Sequence, residues 1–114
     1  MINENTWHRD ENQQGSFVWD VTVEGIELHH SNPSYTIPWN TFHAVINQAR
    51  LMAGQANGIV TAGTNMTNPT PGSVGGWVLN QNLPISNGHL TPRHLSFLGP
   101  VLSRMGVYST PVKW

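Results

Sequence analysis

Cysteine is absent from the 114 residues. That excludes a disulfide framework, a thiol nucleophile and a Cys-ligated zinc, and it leaves the redox compartment unmarked. Nowhere does an apolar run approach the roughly 18 residues that a membrane-spanning helix requires. The opening MINENTWHRDENQQG is polar and has no apolar stretch of the secretory kind, so a cytoplasmic location is the default expectation. Charge is scarce: Asp, Glu, Lys and Arg make up 10% of the chain, against a usual share of about 25%. Asn, Gln, Ser and Thr fill the gap with 35 residues, so amides and hydroxyls must solvate much of the surface. Five tryptophans and a net charge of −1 separate this composition from a disordered one. The length suits one domain over 1–114.

The most informative absence is of acids. All six, Glu4, Asp10, Glu11, Asp20, Glu24 and Glu27, lie in the first 27 residues, where Arg9 is the lone base and the formal charge is −5. Residues 28–114 contain no acid and carry Arg50, Arg93, Arg104 and Lys113. Such asymmetry points to a polyanion-facing surface. The plainer alternative is that four bases over so long a stretch simply balance the acidic start.

Along the chain, residues 1–15 read as a polar arm. Phe17, Trp19, Val21 and Val23 then alternate with Val18, Asp20, Thr22 and Glu24, the period of a β-strand. Gly25 interrupts the run, Ile26 and Leu28 resume it, and Asn32-Pro33-Ser34 predicts a turn before Tyr35-Thr36-Ile37. From Phe42, apolar residues recur at Val45, Ile46, Ala49, Met52 and Ala53, which predicts a helix over 39–53 that stops at Gly54. Ile59-Val60-Thr61 suggests one more short strand, and GTNMTNPTPG at 63–72 a loop. Ser73 is a candidate N-cap for a helix over 74–81, in which Gly75 and Gly76 point to close packing against a neighbouring backbone. A turn follows over 83–88. Thr91-Pro92 marks a further helix start, with Leu95, Leu98, Leu102 and Met105 as its stripe and a kink or restart at Pro100. Gly106 ends that helix, and VYSTPVKW reads as a terminal edge strand.

The succession over 73–114 of short helix, turn, capped helix and β-rich tail resembles a winged helix-turn-helix module. The resemblance implies that the helix from Thr91 enters a major groove and that the tail forms the wing. The expected fold is therefore α+β: a small antiparallel sheet with a long helix over 16–54, then a winged-helix-like part over 73–114. The expected function is a small non-catalytic DNA-binding module, a regulator or the recognition domain of a larger system, with double-stranded DNA as partner. Arg93, His94 and Ser96 at the helix start, Arg104 near its end and Lys113 in the tail are the candidate contacts. Asn65 and Asn68 in the polar loop could add amide contacts. An N-terminal cation opposes the helix dipole, so Arg93 stands where stability alone would not place it.

The alternative class is a protein-binding adaptor or inhibitor, of a phage or plasmid type, using an uncharged polar and aromatic face; the low charge favours it. Trp7 and Trp114 near the ends could pack or mark such a face, whereas Trp19, Trp39 and Trp77 fall on or beside core stripes. No metal or other cofactor is expected. His29 and His30 are adjacent and point to opposite faces of a strand, and His89 and His94 lack helical ligand spacing. No catalytic residue is expected either: Asp20, Glu24 and Glu27 lie on the solvent phase of the strands, Ser73 does not fit a nucleophile elbow, and no phosphate loop occurs.

Overall fold

A computed structural model describes residues 2–6, 15–30, 33–55 and 61–106. Alternation of large apolar and polar side chains shapes its first half. Strands β1 (Ile2–Asn5), β2 (Ser16–Val21), β3 (Gly25–Leu28) and β4 (Tyr35–Pro38) form an antiparallel meander in the order β1-β2-β3-β4. Directly opposed residues share a face. The register therefore sets Trp19 beside Leu28, Leu28 beside Tyr35 and Ile26 beside Ile37 on the inner face. Asp20, Glu27 and Thr36 form a row on the outer face.

The polar arm expected over 1–15 is in part a strand: Ile2 pairs with Trp19 and Glu4 with Phe17. INEN has one apolar residue, too few to show a period, and it is ordered by the ladder of β2 rather than by its own propensity. At the β2–β3 turn, the Gly25 N–H donates to Thr22 Oγ1 at 3.1 Å, and the Thr22 hydroxyl donates to the Gly25 carbonyl at 2.9 Å. Gly25 thus opens β3 as well as interrupting the apolar run.

Helix α1 (Trp39–Gln55) follows directly from β4. Its stripe is the expected one: Phe42, Val45, Ile46 and Ala49 are buried, and Met52 and Ala53 pack partly against the core. The helix runs through Gly54 instead of stopping there. Helix α2 (Val74–Val78) is shorter than the expected 74–81. Its cap is as read: the Gly76 N–H donates to Ser73 Oγ at 3.1 Å. Val74 and Gly75 N–H groups donate to the carbonyls of Thr61 and Ala62 at 3.0 and 2.7 Å, fastening α2 to the segment after α1. A Cβ on Gly75 would stand 1.7 Å from the Gly63 carbonyl oxygen, so close backbone approach does explain that glycine. Thr61 is the described end of the strand expected over 59–61; residues 59 and 60 lie outside the described residues.

The turn expected over 83–88 is a two-stranded hairpin, β5 (Pro84–Ile85) with β6 (Gly88–His89). It docks on the edge of β4, where the Ser86 N–H donates to the Thr36 carbonyl at 2.9 Å and the Thr36 N–H to Ser86 Oγ at 2.8 Å. A 3₁₀ turn (Pro92–His94) then leads into α3 (Leu95–Arg104). Pro100 is buried within α3, and no new helix starts there. Gly106, at φ 79°, ends the helix as expected. The terminal strand expected over 107–114, with Lys113 and Trp114, lies outside the described residues, as does Trp7.

The fold is therefore α+β, a four-stranded antiparallel sheet with three helices. Helix α1 packs on β3 and β4, and α3 packs on β1. Phe17, Trp19, Ile26, Leu28, Tyr35 and Ile37 from the sheet join Leu95, Leu98, Val101 and Leu102 of α3 in one core.

Two glycines allow a test of this packing. Gly75→Ala must displace backbone, and it is expected to destabilise the chain by at least about 2 kcal/mol. Gly54→Ala, on an open helical surface, is expected to stabilise it by roughly 0.5–1 kcal/mol. Urea unfolding of both variants reads the contrast.

Candidate nucleic-acid interface

Proline at the first position of the 3₁₀ turn fixes φ where the N–H would lack a partner in any case. Arg93 follows it. The side chain is exposed and has no hydrogen-bond or ion-pair partner among the described residues. The neighbouring His94 has another role. Its Nδ1 accepts from the Thr91 N–H at 2.8 Å, and the Thr91 hydroxyl lies 3.0 Å from the same nitrogen. His94 therefore stands where a capping box usually has Glu or Gln. Its ring also meets the edge of Tyr35, with centroids 5.5 Å apart. Burial, and then repulsion from nearby His30, lower its pKa from 6.5 to about 4. His94 is consequently a neutral structural cap at ordinary pH and supplies no charge to a phosphate.

Two further candidates are also engaged internally. Ser96 is 4% exposed and belongs to the buried face of α3, out of reach of a ligand. Arg104 Nε donates to Glu4 Oε2 at 2.5 Å, and Nη2 donates to the Asn3 carbonyl at 3.4 Å, both on β1. Arg104 and Arg93 are eleven residues apart, about 16 Å along a helix, so they do not form one cationic tip. Asn65 and Asn68 are exposed, and Asn65 Oδ1 is occupied by the N–H groups of Thr67 at 3.1 Å and Asn68 at 2.9 Å.

Charge is divided by fold as well as by sequence. The described acids, Glu4, Asp20, Glu24 and Glu27, all lie on β1, β2, β3 or the turn between β2 and β3. Arg93, the exposed Arg50 of α1 and the exposed His89 of β6 stand on elements that hold no acid.

An aromatic cluster that sequence reasoning missed positions the start of α3. His30 Nε2 is hydrogen-bonded to the Tyr35 hydroxyl. The His30 ring stacks on Phe97 at 3.8 Å and 9°, and Phe97 meets Phe17 edge-on at 5.2 Å. Burial pushes the Tyr35 hydroxyl well above its ordinary pKa and lowers that of His30. The available signal was the placement of His29 and His30 on opposite faces, which sends His30 toward this cluster. Compared with known families, curated proteins and solved structures, the chain matches none.

The neutral cap makes stability depend on pH. Between pH 6.5 and about 4 the unfolded chain protonates His94 while the folded chain does not. The cap's contribution is therefore complete above pH 6.5 and is lost as pH falls toward 4. After allowance for partial exposure the loss is about 2 kcal/mol. Glutamine can serve as the same cap without titrating, so the unfolding free energy of His94→Gln should fall less than the parent's over this window.

Proposed function

We propose that the chain is a small non-catalytic DNA-binding module. It presents the β5–β6 hairpin and the start of α3 to the phosphate backbone of a duplex. The observation that carries the reading is Arg93, an exposed guanidinium at the positive end of a helix, with no carboxylate partner among the described residues and on an element that holds no acid. Alone, that cation is held against the helix dipole; beside a phosphate, the guanidinium, the dipole and the helix N–H groups act together.

In this reading α2, the hairpin and α3 act in the manner of a winged helix-turn-helix module, with one rearrangement. A hairpin joins α2 and α3 in place of a tight turn, so it lies beside the N-terminal end of α3. Backbone contact dominates, because one arginine and a few amides carry little base readout.

A second reading, a protein-binding adaptor or inhibitor, is favoured by the β2–β3 turn, where Val23 is 93% exposed and Val21 59%. The two readings differ in their response to salt.

Fluorescence anisotropy with a labelled duplex of about 20 base pairs decides the matter. Binding is expected at 50 mM salt, with affinity falling at least tenfold by 200 mM through counterion release. Arg93→Ala should weaken binding across all sequences and lower the salt slope by about one, with little effect on stability. Absence of binding at 50 mM salt overturns the proposal.

A further inference from the structure

A sheet leaves main-chain hydrogen-bonding groups open along each outer strand unless something covers them. On one side of this sheet the β5–β6 hairpin does so, through the two hydrogen bonds between Ser86 and Thr36 of β4. On the other side stands β1, with α3 packed on it and no further strand beside it among the described residues.

The ladder fixes which groups β1 leaves over. The Thr6 N–H donates to the Gly15 carbonyl at 2.9 Å, so these residues form a hydrogen-bonded pair that continues the β1–β2 register. Such pairs alternate along an antiparallel ladder. Ile2 and Glu4 therefore turn their main-chain groups to β2, and Asn3 and Asn5 turn theirs outward. Val18, the β2 residue opposite Asn3, agrees with this phase: its carbonyl accepts from the His29 N–H on the β3 side. Arg104 agrees as well, since its Nη2 reaches the outward Asn3 carbonyl at 3.4 Å. That long contact occupies one of the two lone pairs of the oxygen. Asn3 and Asn5 are both exposed, and INEN has no proline, lysine or bulge to blunt the edge.

Two outward residues on either side of a central one are complementary to themselves. A second β1, turned about a two-fold axis through Glu4, sets its Asn5 opposite Asn3 and its Asn3 opposite Asn5. Each is a hydrogen-bonded pair that exchanges two bonds, so the junction makes four. Glu4 then faces Glu4 of the second copy, and opposed carboxylates repel. Here each carboxylate is already paired with Arg104, so the junction carries balanced charge.

We propose that the free edge of β1 joins a second copy of this chain, antiparallel and centred on Glu4. The product is one continuous sheet of eight strands, four from each copy. Closed two-fold pairing of this kind is the commonest form of oligomer. The strands are short and the bonds few, so association is reversible and depends on concentration. A dimer presents Arg93 twice, which offsets the scarcity of cations in one copy.

The test is sedimentation equilibrium of the whole chain without DNA, so its outcome is separate from that of the DNA-binding reading. A reversible monomer–dimer equilibrium is expected. Asn5→Pro removes an N–H that faces away from β2, so the fold should be kept, as the Tm of the variant checks. Its association should nevertheless weaken at least tenfold, because the dimer loses one bond at each of its two pairs. Hydrogen exchange in the unaltered chain gives a readout free of any variant's folding: the amides of Asn3 and Asn5 should exchange more slowly as chain concentration rises. A chain that stays monomeric at millimolar concentration overturns the proposal, and an edge that accepts only a foreign strand gives that same result. A folded Asn5→Pro variant that associates as tightly as the parent, or slowing confined to amides outside β1, overturns it too.

Discussion

A sheet with one apolar face must have that face covered, and this requirement organises the molecule. Six large side chains of β2, β3 and β4 point inward, and burying each is worth about 1.5–3 kcal/mol. Helix α1 covers the β3–β4 side and α3 reaches the β1 side, so the two helices divide the sheet between them. The aromatic contacts among Phe17, Phe97, His30, Tyr35 and His94 then fix where α3 begins. Arg93 owes its position to that packing: the residue after it is immobilised on both sides, and the guanidinium projects from a rigid base.

The same docking decides which cations remain available. Once α3 lies along β1, its C-terminal end meets Glu4, and Arg104 is drawn into that pair. A cation near a helix C-terminus already complements the dipole, so Arg104 has two native roles and Arg93 has none. Segregation of the described acids onto the first three strands and the β2–β3 turn is therefore more than a feature of sequence order. It places the described acids at the sheet and leaves the hairpin and the α3 start free of carboxylates.

Much of this was legible where local chemistry and long-range packing agree. Alternation in β2 and β3, the stripe of α1, the Ser73 cap, the crowding at Gly75 and the stop at Gly106 each follow from a few neighbouring residues. What was illegible depends on distance along the chain or on a choice between two local roles. Ile2–Asn5 becomes a strand because β2 offers it a ladder. The partner of Arg104 is 100 residues away. His94 reads equally as a cation or a cap until its surroundings are known, and burial decides for the cap. Ser96 looked polar and available, but the stripe of α3 is wide enough to enclose it.

The outer face shows how one periodicity can produce two different results. Turning Trp19, Ile26 and Leu28 inward obliges Asp20, Glu27 and His29 to point outward, since the side-chain period of a strand is two. Along the chain Asp20 and Glu27 are seven residues apart, a separation that no helical or zinc-finger spacing would single out. Across the β2–β3 ladder they are direct neighbours. Judging histidines only against other histidines overlooked the Glu27-Leu28-His29 triplet, whose outer members share a face. The core thus fixes the register, and the register alone brings two negative charges and an imidazole together. Ladder hydrogen bonds and the inward apolar set hold that arrangement in place.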